Sequence, residues 1–431
     1  MSRECAVTVE IHIKTPWPFM SALGNDHVIQ DGSQFSSYIR YLSTLLATHS
    51  ARIKKLCIRA NEPAFTAIQR SLIKVPMPLL THCCITPDGP SPLAPTLINR
   101  DAGDPTFIVH SKGDIGDAEG ATLYPKLKSL YIHSCPVICA QLFPRNLQTL
   151  SLARLPGKAR LSASDLRQVL LASEHSLQDL RLPSGAPLDS TALYIMSNVR
   201  SLSLAYDTPK ELVPFLQSMK VPNLEYFSLK DLTRARRCIR SLYHGVYDAS
   251  IELLVATLID NLPLYNLTGL HLGWVRFLPY RRHLNKHAHE WIPNVHNLPI
   301  PAFLFRFMSL MTSLETLSMS DPDYPSLFSL NYYPRRTGMV GGTLITPTPV
   351  PMLSSLTLEV FNLRLVQKFI ARRLVVVESP RRPLTQLRLK MPRNWRSKLR
   401  FNLSLVAERI VMADFEYRDR GEESILMEPY E

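Results

Sequence analysis

A short apolar pattern recurs down most of this 431-residue chain: Leu, two variable residues, an apolar residue, one variable residue and another apolar residue. Its clearest copy is Leu127, Leu130 and Ile132. Nine strong copies begin at residues 127, 147, 177, 199, 224, 267, 314, 353 and 384, and two weaker copies begin at residues 53 and 80. A unit that recurs every few tens of residues predicts a solenoid, whose core forms only when neighbouring units stack.

The spacing within each copy also predicts local structure. The last two apolar residues alternate with variable ones, so on a strand they face the core while the variable residues face the opposite side. Helical patterns follow several copies, at residues 165–173, 209–216 and 249–260. We therefore predict an α/β fold, an irregular leucine-rich-repeat solenoid (horseshoe) with parallel concave strands and with helices or loops on the convex side.

We predict a single domain over residues 1–431, because a stacked array needs no internal boundary. Residues 1–52 are assigned to an N-terminal strand and helix cap, 53–392 to the repeats, and 393–431 to a C-terminal cap with a frayed tail. Successive copies start 20 to 30 residues apart in places and up to 47 residues apart elsewhere. The longer gaps predict insertions near residues 86–122, 233–247, 273–300 and 321–351.

The composition narrows the class of protein. Hydrophobic residues make up 45% of the chain and charged residues 20%, as in ordinary globular proteins. The sequence shows neither a signal-peptide pattern nor eighteen consecutive apolar residues, so we expect an intracellular protein, cytoplasmic or nuclear, that does not bind a membrane. The seven cysteines lack the even spacing of a secreted disulfide framework, and we expect reduced thiols.

The variable residues beside the strand leucines form the predicted recognition surface, since solenoids bind partners on their concave side. Aromatic and Arg side chains dominate interface energetics. On that basis the candidate partner-binding residues are Tyr131, His133, Arg181, Tyr226, Lys230, His271, Arg388 and Lys390. The other interpretation of these positions is a solvated sheet face dominated by Ser and Thr.

No catalytic pattern stands out in the sequence. It contains no Gly-rich phosphate loop, no Gly-x-Ser-x-Gly elbow and no His-Glu-x-x-His. We predict a non-enzymatic protein with no cofactor and no metal, and an unrecognised enzyme is the remaining alternative. His283 and His287 have the spacing of two ligands on one helix face, but the Arg and Lys residues around them oppose a dication.

The formal net charge of +13 is concentrated towards the C-terminus, where residues 370–410 include eleven Lys or Arg and two Glu. Trp395 and Phe401 are interleaved with these charges. The region offers an alternative function, a basic repeat protein that binds nucleic acid or another acidic partner. We prefer a solvated rim at the end of the solenoid, because nucleic-acid binders usually add a recognisable module.

Several sequence segments share features with one protein family. They are the strand at residues 7–13, the run from Tyr41 into ATHSARIKKLCI, the Pro78-Leu79-Leu80 sequence, and the phrases NLQTLSL, SLETLSM and LSSLTLE. Together they resemble the leucine-rich-repeat region of basidiomycete fungal F-box proteins. The resemblance implies substrate recognition for a Skp/cullin/F-box ubiquitin ligase. No stretch matches the F-box itself, so we expect a Skp adaptor only if an F-box lies upstream, and the protein partner is otherwise unknown.

Overall fold

The computed structural model describes residues 6–13, 32–60, 75–86, 124–133, 146–153, 163–182, 193–232, 250–277, 301–330, 349–359, 369, 384–392 and 412–418. The chain divides into two compact units, Met1–Leu188 and Asp189–Glu431. Both units are α/β, and each contains a parallel sheet whose strands follow one another in chain order. The assignment of residues 1–431 to one domain stays a prediction.

The first unit contains a sheet of six described strands in the spatial order β1 to β6. All of its neighbouring strands pair in parallel. Their bounds are β1 Val7–Ile13, β2 Ile53–Ala60, β3 His82–Thr86, β4 Ser129–His133, β5 Thr149–Ala153 and β6 Asp179–Leu182. Helix α1 (Gly32–His49) and the 3-10 turn Ser50–Arg52 precede β2, and helix α2 (Ala163–Ala172) lies between β5 and β6 in the chain.

The second unit contains a sheet of seven described strands in the order β8, β10, β11, β12, β13, β14 and β15. They too pair in parallel throughout. Their bounds are β8 Ser201–Tyr206, β10 Tyr226–Asp231, β11 Gly269–Gly273, β12 Thr316–Ser320, β13 Ser355–Glu359, β14 Gln386–Pro392 and β15 Met412–Arg418. Two short strands, β7 (Tyr194–Ile195) and β9 (Met219–Lys220), form a separate parallel pair.

Four helices of the second unit pack on one another in chain order. They are α3 Val213–Ser218, α4 Ser250–Asn261, α5 Ala302–Ser309 and α6 Tyr324–Ser329, with 3-10 turns at Pro209–Leu212 and Leu264–Asn266. Helix α4 buries Ile251, Leu254, Val255 and Leu258, the three- and four-residue spacing of one helix face. Its opposite face is exposed, and Leu253 is 50% accessible there.

The repeated pattern of the sequence accounts for the core of both units. Every apolar residue of the eleven copies is at most 9% exposed, including the two weak copies at residues 53 and 80. The last two residues of each copy lie on a strand and face the core, as the alternation predicts. The predicted α/β class and parallel strands are therefore confirmed.

A backbone interaction repeats at the amino ends of the strands. The carbonyl oxygen just before a strand accepts two N–H donors from the segment that begins the next strand. Thus Glu225 accepts from Thr268 at 2.8 Å and from Gly269 at 3.1 Å, and the carbonyl of Thr268 then accepts from Glu315 at 3.0 Å and from Thr316 at 2.9 Å. Lys128, Gln148, Arg200, Glu315 and Ser354 act as acceptors in the same way.

The helical predictions correspond to observed elements, with shifts of a few residues. The segment 165–173 corresponds to α2, 249–260 to α4, and 209–216 to a 3-10 turn followed by α3. Strand β15 lies in the segment predicted as a C-terminal cap, and its sequence lacks the repeated pattern. Most residues of the four predicted insertions lie outside the described ranges.

The membrane prediction can be compared with the described helices. Within the ranges given above, no helix combines the length and apolar character that a membrane-spanning segment requires.

We predict that Leu270→Ala lowers the free energy of unfolding by about 2–5 kcal/mol, because it leaves a cavity in a packed core. Leu270 is 1% exposed on β11. The control is Leu253→Ala on the exposed face of α4, which should change the same quantity by less than about 0.5 kcal/mol. Urea denaturation of the two variants measures both values. Equal losses would contradict the core assignment.

Candidate recognition surface

The eight candidate partner-binding residues all lie on strands, at positions that alternate with the buried core residues. We call the sheet face formed by these alternating positions the polar face. In the first unit it includes Tyr131, His133 and Arg181, although only the backbone of His133 is described. In the second unit it includes Tyr226, Lys230, His271, Arg388 and Lys390.

In the second unit, three candidates come together on two adjacent strands. Tyr226 and Lys230 lie on β10, and His271 lies on β11. The register pairs Tyr226 with Gly269 and Lys230 with Gly273, so His271 sits between the two glycines along its strand. Tyr226 is 41% exposed. We refer to Tyr226, Lys230 and His271 as the β10–β11 cluster.

The two glycines of β11 make room for this cluster. A Cβ atom at Gly269 would lie 2.6 Å from Cδ2 of Tyr226, and one at Gly273 would lie 2.8 Å from Cγ of Lys230. The Gly273 position would also place a Cβ atom 3.2 Å from Nε2 of His271. The Tyr226 ring and the Lys230 stem therefore rest on strand backbone that has no side chain beneath them.

Two further basic candidates lie on the polar face of β14. Arg388 pairs in register with Thr357 of β13, which pairs with Ser318 of β12 and through it with His271. Small hydroxyl side chains thus separate Arg388 from the β10–β11 cluster. Arg388 is exposed, as is Lys230.

Lys390 has an acidic neighbour. Its register partner is Glu359 of β13. The Glu359 carboxylate accepts a hydrogen bond from the Ser320 hydroxyl at 2.9 Å, which fixes its position on the face. Within the described strands β10 to β14, the outward charges are therefore mainly positive, with Glu359 as the carboxylate among them.

In the first unit the candidates are spaced more widely. Tyr131 pairs with Ser151, and Ser151 pairs with Arg181, so one strand separates the two candidates. The Arg181 guanidinium is bound by Asp179 of its own strand, with Nη2 2.7 Å and Nε 3.1 Å from Oδ2. This ion pair is largely shielded from solvent and compensates the Arg181 charge locally.

A basic group of side chains surrounds His82 in the same unit. Partial burial lowers the pKa of His82, and the positive charges of Lys55, Lys54 and Lys128 lower it further. Its Nδ1 atom lies 2.8 Å from the Thr81 hydroxyl. The lowered pKa disfavours the protonated, cationic imidazole on this face.

The sequence patterns did not identify an ion pair at the carboxyl ends of β11 and β12. Nη2 of Arg276 lies 2.8 Å from Oδ2 of Asp321, and Asp323 accepts the Phe277 backbone N–H at 2.7 Å. Trp274 and Asp321 follow their strands with positive φ angles of 64° and 48°. The one available signal was the Asp-Pro-Asp sequence at 321–323, since Asp tolerates left-handed backbone and caps helices.

The described residues contain no group of three His, Cys, Asp or Glu side chains arranged as metal ligands. His283 and His287 fall outside the described ranges. Of the basic stretch 370–410, the structure describes only residues 384–392.

Comparison with known proteins returned no relative: no protein-family model matches the chain, and no curated protein matches it significantly.

We predict that Gly269→Ala lowers the free energy of unfolding by about 1–3 kcal/mol, because the added methyl group overlaps the Tyr226 ring. Adding Tyr226→Ala removes the overlap, so the double variant should be more stable than the sum of the single losses by at least about 0.5 kcal/mol. Gly273→Ala is the matched control and should cost less, since the Lys230 stem can rotate away. Urea denaturation measures all four variants, and strict additivity would contradict the contact.

Proposed function

We propose that this chain is a non-enzymatic leucine-rich-repeat protein that recognises a partner protein on the polar face of its parallel strands. In this proposal the repeated apolar positions supply only the core. The alternating positions, which vary freely between copies, determine which partner binds.

The arrangement of strands supports the leucine-rich-repeat assignment. Within each unit the strands are parallel and follow the order of the chain, and every strand of the two sheets except β1 and β15 begins where a copy of the apolar pattern predicts. In the second unit, described helices or 3-10 turns lie between several successive strands and pack on one another. A horseshoe solenoid has this connectivity, because each repeat contributes one strand and one convex segment.

The observation that carries the recognition proposal is the β10–β11 cluster. A sheet face with no binding role would be expected to expose small polar side chains, as β12 and β13 do with Ser318 and Thr357. The cluster instead presents a half-exposed tyrosine ring over a glycine. Tyrosine is one of the residues that dominate binding energy at interfaces, because it combines large contact area with a hydrogen-bonding group.

The charges of the same face indicate the kind of partner. Lys230, Arg388 and Lys390 surround a zone of small hydroxyl side chains, and Glu359 is the carboxylate nearby. Complementary charge directs partner choice and speeds association more than it increases affinity. We therefore propose that the partner presents an acidic surface that also carries an apolar or aromatic group for Tyr226.

A role in ubiquitin ligation rests on the resemblance to fungal F-box proteins. The proposal is that the polar face selects the substrate of a Skp/cullin/F-box ligase, while an F-box elsewhere would bind the adaptor. A longer gene product that contains an F-box should co-purify with Skp and cullin. Recovery of a partner protein without Skp and cullin would agree with the recognition proposal but contradict the role in ubiquitin ligation.

Nucleic acid is the alternative acidic partner. The exposed Arg388 and the half-buried Lys390 belong to the Arg/Lys-rich region that suggests it. Binding to nucleic acid would weaken steeply with salt, since each neutralised phosphate releases a counterion. Recovery that is sensitive to nuclease would favour this alternative over a protein partner.

We predict that Tyr226→Ala weakens binding to a partner protein by about 2 kcal/mol, or roughly 30-fold in Kd. Ser318→Glu, which places a carboxylate in the middle of this basic face, should repel the acidic partner and abolish binding. The partner is first identified by affinity purification with the tagged chain after nuclease treatment. Its Kd is then measured with purified proteins by calorimetry.

Two substitutions away from the polar face serve as controls. Tyr265→Ala removes a tyrosine that is 61% exposed in the turn before β11, and Leu253→Glu places a carboxylate on the exposed face of α4. Both variants should bind the partner like the unaltered chain. Loss of binding in the controls, or full binding by Tyr226→Ala and Ser318→Glu, would refute the proposed surface.

A further inference from the structure

Two cysteines lie side by side on the polar face of the first unit. Cys57 of β2 and Cys84 of β3 are register partners on adjacent parallel strands. Both are free thiols, and both are partly exposed. Adjacent strands lie about 4.8 Å apart, and disulfides join residues whose Cα atoms are about 4.4–6.8 Å apart. The backbone therefore already holds this pair within bridging distance.

The two thiols differ in their protonation. The Cys84 thiol donates a hydrogen bond to the Cys57 sulfur, which lowers the pKa of Cys57 to about 6, and the nearby Arg59 guanidinium lowers it too. Partial burial and the carboxylate of Glu10 act in the opposite direction. Donating that hydrogen bond raises the pKa of Cys84, as does its own burial. Both shifts favour a thiolate on Cys57 and a thiol on Cys84.

The neighbouring Cys83 provides an internal contrast. It precedes Cys84 on β3 but faces the core, where it is 9% exposed. Burial raises the pKa of Cys83 to about 12. Its protonated, shielded sulfur should be inert towards reagents that attack thiolates.

We propose that Cys57 and Cys84 form a hydroperoxide-reactive dithiol site, in which Cys57 is the nucleophile and Cys84 is the resolving thiol. Redox-reactive cysteines are partly exposed, favour the thiolate and often lie next to a resolving thiol, and this pair of register partners has that arrangement. The co-reactant is a small hydroperoxide, ROOH. The site is independent of the proposed recognition function, because it uses neither the β10–β11 cluster nor the basic residues of β14.

The reaction proceeds in two balanced steps. The Cys57 thiolate attacks the terminal oxygen of ROOH, a sulfur–oxygen bond forms, the oxygen–oxygen bond breaks, and RO⁻ leaves and takes up a proton to become ROH. Cys84 then attacks the sulfur of the Cys57 sulfenic acid, a sulfur–sulfur bond forms, and hydroxide leaves with the Cys84 proton as water. Two electrons pass from the two thiols to the hydroperoxide.

Several titratable or charged groups share the sheet face with Cys57, and among them Cys84, Arg59 and Glu10 act on its pKa. On the same sheet face and its neighbouring strands these are Glu10 and His12 of β1, Lys55 and Arg59 of β2, and His82 and Cys84 of β3. The sign of the effect follows from the lowered pKa of Cys57. The thiolate is present above about pH 6 and is lost as the pH falls through that value.

The first test maps the products. The full-length chain is treated at pH 7 with a few equivalents of hydrogen peroxide, quenched with an alkylating reagent and digested without reduction for mass spectrometry. The expected product is a peptide pair joined by Cys57 and Cys84. In Cys84→Ser the expected product is a Cys57 sulfenic acid that dimedone captures, with Cys83 unmodified. Disulfides that join other cysteines, with Cys57 left reduced, would overturn the proposal.

The second test separates the hydrogen bond from the disulfide. Alkylation of Cys57 by iodoacetamide is followed against pH in the unaltered chain, in Cys84→Ser and in Cys84→Ala. Serine keeps a donor, so its half-maximal rate should stay near pH 6 as in the unaltered chain, whereas alanine should shift it upwards by about one pH unit or more, towards the ordinary value of ~8.5. A half-maximal rate near pH 8.5 in the unaltered chain would overturn the proposal.

Discussion

The register of both sheets depends on one backbone interaction, the carbonyl oxygen that accepts two N–H donors from the segment that begins the next strand. Because the acceptor always lies just before its strand, each hydrogen-bonded step aligns the following strand at the same height. Thr268 and Thr316 reinforce it with hydroxyl donors at 3.2 Å and 3.3 Å to the same carbonyls. In-register parallel pairing then brings the buried leucines into continuous rows and brings the polar-face residues into matching rows opposite them.

The positions of most strands could be predicted because burial leaves a period in the sequence. Leu270 and Leu272 are spaced as two core-facing residues of a strand, and the same spacing located the weak copy at Ile53. Strand β15 was not predicted in this way, because Ala413 and Phe415 stand opposite Leu387 and Leu389, where the eleven copies have larger or more regular apolar pairs. The pair β7–β9 has only two residues in each strand, too few to show a period.

The candidate site was predictable in its residues but not in its contacts. Side-chain type and strand position selected Tyr226, Lys230 and His271, because alternation assigns them to one face. Their association depends on Gly269 and Gly273, whose missing side chains matter only once the register is known. The pairing of Arg181 with Asp179 two residues earlier is visible in the sequence, yet either side chain had other possible partners.

The positions of the two cysteines could also be predicted from the sequence. Cys57 and Cys84 occupy the central variable position of two successive copies, so aligning the copies places them in one row. The same alignment assigns Cys83, one residue before Cys84, to an apolar position of its copy, and the structure places it in the core. The reactivity of a cysteine on such a sheet therefore depends on which face its strand position points to, as well as on its being a cysteine.

The glycine beneath Tyr226 has a consequence for the entropy of binding. A tyrosine side chain on a crowded sheet either packs upright among its neighbours or samples several rotamers in solvent, and a partner must then immobilise it. The Tyr226 ring lies against the Gly269 backbone, so close that a Cβ atom at Gly269 would be 2.6 Å from its Cδ2 atom. The ring is thus restrained before any encounter, so less rotational freedom is lost when a partner covers it.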